Sequence, residues 1–266
     1  MFTIAQRDEF EDRGIVRLPG AIARADAEAM CNRVWRALEK RYGLRRESPV
    51  TWKGQSLLGT HHLPKSETFP EIGSPAIRSA LDDLFGSGNW QPPERWGSLL
   101  ATFPNSHDQW TVPHRAWHLD YPASSEMKEL SIVRIFVCLA KLEPCSGGTV
   151  FVASSHRAIQ NLVSKDGVAR MRSADARTAL IRTYDWMRSL CTLDESLNRV
   201  EAFMRKSFVA DGVELRVVEM TGEPGDAFLT HPLLLHAGSK NAATHPRIAL
   251  SSTVYRAGFK MAALLE

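Results

Sequence analysis

The sequence predicts one mainly β domain with α decoration, built around an enclosed β core. Three observations predict it. Segments rich in β-branched and aromatic residues begin after Trp96 and resume after Asp211. The stretch between them is charged and helix-compatible. A chain of 266 residues is long for one domain and short for two, which suits a single enclosed core. Residues 1–95 read as an N-terminal helical and lid region, 96–157 and 213–256 as the β core, and 158–212 as a helical insertion.

Taken in order, Gly14-Ile15-Val16-Arg17-Leu18 reads as a short strand ended by Pro19-Gly20. Ala25 to Tyr42 carries Ala27, Met30, Val34 and Leu38 at helical spacing. Pro49 to Pro70 mixes Trp52, Lys53, Gly54, His61 and His62 without periodicity, so it is either a loop covering a site or a plain connector. Ser74-Pro75 supplies an N-cap and a first-turn proline for a helix carrying Ile77, Leu81 and Leu84, with Gly86 beyond its end. Strands follow at Ser98–Phe103, Leu130–Leu142 and Gly148–Ala153. Ala158 to Asp211 is the helical insertion. Strands resume at Val213–Met220, Ala227–Thr230 and Arg247–Tyr255, with a turn at Gly222–Asp226 that the Asp226 side chain should lock.

Composition narrows the function. With 44% hydrophobic and 24% charged residues the chain is an ordinary globular protein, and no apolar run approaches a membrane span. The N-terminus turns polar by Gln6-Arg7-Asp8, before a secretory core could form, so a cytoplasmic protein is expected. A net charge of +3, with Lys and Arg scattered, argues against nucleic acid and for a small-molecule partner. Cys31, Cys138, Cys145 and Cys191 form no C-x-x-C pair, which excludes a zinc ribbon and a disulfide framework. No heptad or isolated apolar stripe marks an oligomer interface.

The chemistry is carried by His118-Leu119-Asp120. Residues i and i+2 of an extended chain project to one side and can grip one metal together. A third ligand is available from His231 or His236, and Arg247 lies eleven positions beyond His236. Two imidazoles and one carboxylate on one face of iron(II) leave three adjacent positions free, enough for a bidentate 2-oxo acid and dioxygen. Period-two alternation puts Arg247, Ala249, Ser251 and Thr253 on one strand face, where the guanidinium suits a distal carboxylate and Ser251 a further hydrogen bond. Arg134 interrupts an apolar strand and needs an anionic partner, either a substrate or co-substrate carboxylate or a local Asp or Glu. Trp110, Trp117 and Tyr121 flank the triplet and either line a pocket or pack as core. His156 is expected to fix a turn before a helix, and His61, His62, His107 and His114 to be loop residues.

In order and spacing, His118-Leu-Asp120, Glu143-Pro-Cys-Ser-Gly-Gly-Thr-Val-Phe-Val-Ala-Ser-Ser-His156, Gly225-Asp226, His231-Pro-Leu-Leu-Leu-His236 and Arg247 resemble the phytanoyl-CoA dioxygenase family of iron(II)/2-oxoglutarate-dependent oxygenases. The likeness runs from about Trp96 to Arg256, outside the insertion. It implies a double-stranded β-helix, the jelly-roll or cupin-like core. It implies that His118, Asp120 and His236 hold iron(II), and that Arg247 anchors the C5 carboxylate of 2-oxoglutarate. His231 then becomes a core or supporting histidine. The implied reaction is hydroxylation of an unactivated carbon with dioxygen, releasing succinate and carbon dioxide. One departure is Ser239, three residues after the distal histidine where relatives place serine two after it, which leaves its co-substrate contact unassigned. Two rivals remain: a zinc hydrolase or cupin-like isomerase, which gives Arg247 no task, and a non-catalytic small-acid-binding β module, which needs no triad.

Overall fold

Strand β6 (Ile132–Cys138) is apolar on both faces but for Arg134, and the fold covers each face. Val133, Ile135 and Val137 enter a core shared with helices, while Phe136 and Cys138 enter a core shared with a second sheet. The computed structural model describes residues 1–55, 57–59, 62–104, 109–124, 129–165 and 170–260. Before β6 come β1 (Ile15–Leu18), β2 (Leu57–Leu58), β3 (Trp90–Gln91), β4 (Ser98–Thr102) and β5 (Ala123–Ser124). After it come β7 (Thr149–Ala153), β8 (Arg170–Met171), β9 (Phe208–Ala210), β10 (Val213–Glu219), β11 (Ala227–Thr230), β12 (His236–Gly238) and β13 (Arg247–Arg256). One sheet runs β1-β11-β6-β13-β4-β2 with β3 also on β13, a second runs β12-β7-β10-β9, and β5 pairs with β8. Every strand pair is antiparallel.

The chain crosses repeatedly between the two main sheets: β6 lies in the large one, β7 and β10 in the small one, β11 in the large, β12 in the small, β13 in the large. Phe136, Cys138, Phe151, Phe228, Leu234 and Ala249 fill the space between them. Helices cover the outside. α1 (Ile4–Arg13), α2 (Arg24–Tyr42) and α3 (Pro75–Phe85) belong with the large sheet. α4 (Ser155–Lys165), α5 (Ser173–Thr183) and α6 (Asp185–Leu190) belong with the small one. Helix α2 buries Ala27, Met30, Cys31, Val34, Trp35 and Leu38, one stripe at helical period. Each large side chain of that stripe contributes roughly 1.5–3 kcal/mol. No helix among the described residues is long and apolar enough to cross a membrane.

Three details differ from the sequence expectation. Helix α1 was not anticipated; a capping box between Thr3 and Gln6 starts it and left-handed Gly14 ends it. The first helix after β7 begins at Ser155 rather than at residue 158, because Ser154 adopts φ 65 and turns the chain sharply out of the strand. The insertion is also not purely helical, since β8 and β9 within it pair with β5 and β10. The Asp226 expectation holds: its carboxylate accepts from Glu223 N and Gly20 N, and Arg17 pairs with it at 2.5 Å. All four cysteines are free, with Cys31 and Cys138 buried.

Candidate metal centre

The run before the first histidine makes an unusual turn. Ala116 has φ 63, a left-handed conformation costly for a residue with a Cβ, and its carbonyl meets Nδ1 of His118 at 2.8 Å. His118 then pairs with His236 as an antiparallel bridge, the two exchanging backbone hydrogen bonds of 2.9 and 3.1 Å. Directly opposed residues project to the same side, and the imidazole centroids stand 4.3 Å apart. Nδ1 of His236 meets the Leu234 carbonyl at 3.0 Å. Each ring therefore directs Nδ1 to a carbonyl and turns Nε2 away from it. Burial holds the His236 pKa down to about 4, keeping that ring neutral at physiological pH.

Asp120 completes the group. Its Oδ1 lies 3.9 Å from His118 Nε2 and its Oδ2 3.5 Å from His236 Nε2. One donor atom from each of His118, Asp120 and His236 falls within 4.8 Å of the other two. Two neutral imidazoles and one carboxylate are a suitable donor set for a first-row divalent metal.

Arg134 sits behind this group. Alternation along β6 turns it toward the second sheet, and its Nη1 donates to Asp120 Oδ2 at 2.6 Å. Its Nη2 donates to Ser251 Oγ at 3.3 Å, and its buried Nε has no partner. Asp120 is thus an anionic partner of Arg134, one of the alternatives anticipated for it. Ser251 is likewise engaged by Arg134. Arg247 is almost fully buried, donates from Nη2 to Thr149 Oγ1 at 2.9 Å, and keeps a buried Nε without a partner. Burial lowers its pKa to about 10. Nearby Glu219 accepts from Cys145 N, and burial lifts its pKa to about 7, so it is only a partial counter-charge.

A cavity of about 1590 Å³ opens beside His118. From the 49–70 segment, Pro49, Trp52, Lys53, Gly54 and Gln55 line its wall. Trp117 also lines the cavity, with its indole N–H held by the Pro113 carbonyl. Tyr121 packs with Ile132 and its hydroxyl donates to Thr253 Oγ1, in keeping with the core alternative for this residue. Trp110 donates to Ser239 Oγ at 3.3 Å, and Ser239 itself donates to the Gly148 carbonyl at 2.7 Å.

His231 stands apart from the centre, its ring 4.7 Å from that of His156. His156 Nε2 meets the Glu11 carbonyl, tying α4 to α1. His114 lies in a loop and His62 in a short 3-10 turn, while His61 and His107 fall outside the described residues. Sequence reasoning missed Thr149, Asn241 and Arg177. Thr149 precedes Phe151 by two on the inward face of β7, a signal alternation could have given. Asn241 Nδ2 joins the Thr102 and His245 carbonyls at 2.9 Å each, and Arg177 lies on α5; neither has a sequence signal.

The profile of the family described as phytanoyl-CoA dioxygenase (PhyH) matches residues 10–249. A search of curated protein sequences found no match. Solved structures share the fold at low identity. The carbocyclase SnoK from nogalamycin biosynthesis, non-heme and alpha ketoglutarate dependent, is 14% identical with a TM-score of 0.56, covering 96% of this chain and 84% of that one. The epimerase SnoN in complex with Fe3+, alpha ketoglutarate and nogalamycin RO is 15% identical with a TM-score of 0.52, covering 94% and 82%. HygX from Streptomyces hygroscopicus, with nickel and 2-oxoglutarate bound, is 14% identical with a TM-score of 0.53, covering 98% and 89%.

Proposed function

The chain belongs to the phytanoyl-CoA dioxygenase family, and from that premise we propose that it is an iron(II)- and 2-oxoglutarate-dependent oxygenase acting on a small molecule. The observation that carries the reading is the meeting of His118, Asp120 and His236 donor atoms within 4.8 Å. The whole chain is read as one such domain, with the two main sheets as the halves of a double-stranded β-helix.

In this reading His118 Nε2, His236 Nε2 and an Asp120 oxygen hold iron(II). The donor chemistry fits, since both imidazoles direct Nδ1 to a carbonyl and leave Nε2 for a metal. Arg134 fixes Oδ2 of Asp120, leaving Oδ1 for the metal and keeping the carboxylate to a single coordination position. Arg247 binds the distal carboxylate of 2-oxoglutarate. The unpartnered buried Nε supports this, because an isolated buried guanidinium is costly until an anion meets it. Thr149 orients that guanidinium, and Ser251 serves Arg134 with its lone pair while its own O–H remains for the co-substrate. When bound, iron with 2-oxoglutarate and dioxygen supplies an oxidant able to attack an unactivated carbon, with succinate and carbon dioxide released. The protein's part is to hold substrate in the cavity beside His118 and to exclude water behind the 49–70 loop.

Hydroxylation is the outcome we assign; the epimerase and carbocyclase among the structural relatives stand for the rival outcomes, and product analysis separates them. Anaerobic iron(II) plus 2-oxoglutarate should develop a visible metal-to-ligand charge-transfer band, lost in Asp120→Ala. A folded, metal-loaded protein without that band would end the proposal. A zinc enzyme without 2-oxoglutarate would give no band and would leave Arg247 idle.

A further inference from the structure

Which substrate the cavity takes is written in its wall. At about 1590 Å³ it exceeds the roughly 300–1,000 Å³ typical of small-molecule sites, so it has room for a large substrate. Trp52, Phe103, Pro104, Trp117, Ala242 and Ala243 make much of the surface apolar. Among the described lining residues there is no carboxylate, whereas Lys53, Arg177 and Lys240 all line it. Arg177 reaches in from α5, half-buried, and its polar contact is one long bond of 3.4 Å from Nη1 to the Trp117 carbonyl. Among the described residues no carboxylate pairs with it, unlike Arg172, which is held by Asp175 at the start of the same helix, and Arg188 on α6, held by Asp185.

The position of that contact matters. Trp117 is the residue before His118, so this bond sets Arg177 against the segment that carries the first metal ligand, in the wall of the same cavity. A guanidinium partly removed from water with five donors and one long bond is a site for an oxyanion. From this the geometry points to a substrate with a large apolar or aromatic body bearing a carboxylate, sulfonate or phosphate group, the oxyanion being held by Arg177 close to the carbon that reacts. Lys53 and Lys240 are further cations of the lining. A molecule whose reacting end is a neutral ester, thioester or amide leaves Arg177 uncompensated and is discriminated against. The inference rests on the oxygenase reading for what happens to the substrate, and on the cavity alone for what binds.

The probe is a matched pair of dyes. Protein loaded with zinc(II) and 2-oxoglutarate is titrated with 8-anilinonaphthalene-1-sulfonate and, separately, with N-phenyl-1-naphthylamine, which has the same rings and no sulfonate; fluorescence reports both. Arg177→Gln keeps a donor for the Trp117 carbonyl and removes the charge, so it should weaken the sulfonate about ten-fold and the neutral dye by less than about two-fold. Lys53→Gln, on an exposed residue of the covering loop, should weaken the sulfonate by a smaller factor in the same direction and settles the matter alone if Arg177→Gln does not fold. Equal losses for both dyes, or a sulfonate affinity indifferent to either charge, would overturn the inference. The charge-transfer band of the wild-type protein is measured apart: its absence removes the oxygenase reading whatever the dyes do. Its presence alongside charge-insensitive dyes removes only the anionic substrate.

Discussion

Replacing Arg247 with methionine should make the ligand-free protein more stable while removing its response to 2-oxoglutarate. The guanidinium is 3% exposed, and burial brings its pKa from 12.5 to about 10. At about 1.4 kcal/mol per pH unit, that shift corresponds to about 3 kcal/mol, all of it expressed at pH 7 because the group stays charged folded and unfolded. Methionine forfeits the 2.9 Å bond to Thr149, worth about 1 kcal/mol. The net gain is about 2 kcal/mol, or about 4 °C in melting temperature for a chain of this size. Saturating 2-oxoglutarate, at about a hundred times its dissociation constant, should add about 2.7 kcal/mol to the wild type and nothing to the variant. The two melting curves therefore exchange order on adding the ligand. Thermal unfolding of both proteins with a divalent metal, with and without 2-oxoglutarate, reads this directly. A variant that melts below wild type without ligand, or that still climbs with ligand, would refute the assignment of Arg247 as a buried charge awaiting its anion.

Arg134→Gln should lower divalent-metal affinity about ten-fold or more by releasing Asp120, with Arg134→Lys recovering part of it; manganese(II) titration followed by electron paramagnetic resonance measures both. Acid should destabilise the fold through His156, whose pKa falls to about 4 on burial. Since the unfolded ring titrates near 6.5, its share of stability is intact above that pH and is lost as pH drops toward 4. The loss is about 3 kcal/mol, and His156→Gln should flatten urea midpoints across that window. His231, whose pKa burial also lowers, contributes in the same direction.

Period-two alternation made the core legible. It placed Arg247, Ala249 and Ser251 on the inward face of β13 and Ile248, Leu250 and Val254 against the helices, as found. The same rule, with H-x-D spacing, brought out two of the three residues of the metal group. It failed where a contact depends on the path of an irregular segment. Arg134 showed itself as a charge needing an anion, yet nothing in β6 says that residues 114–122 bring Asp120 to it. The setting of Tyr121 depends on the same path, which carries its hydroxyl to Thr253. Helix α1 was silent because it buries only Phe10, leaving too few apolar residues for a period; its Thr3 to Gln6 capping pattern was the one usable signal.

The insertion was the least legible part of the sequence and does more than cover the small sheet. Arg199, 4% exposed and without a carboxylate partner, gives its donors to the carbonyls of Val112, Pro113, Ser189, Leu190 and Thr192. Those bonds tie the end of α6 to the segment that enters Ala116, Trp117 and His118, where a residue with a Cβ is held at φ 63. A strained turn persists only when its surroundings over-determine it, and Arg199 supplies that constraint from one side as the His118 to His236 bridge does from the other. Arg199→Met keeps the apolar stem and strands five carbonyls, so a loss of about 3–5 kcal/mol in chemical denaturation is expected. The more telling readout is local. Amide hydrogen exchange should rise at residues 112–118 in the variant and stay unchanged in β6 and β13. Uniform exchange across the chain would mean that Arg199 stabilises the fold as a whole without shaping the approach to the metal centre.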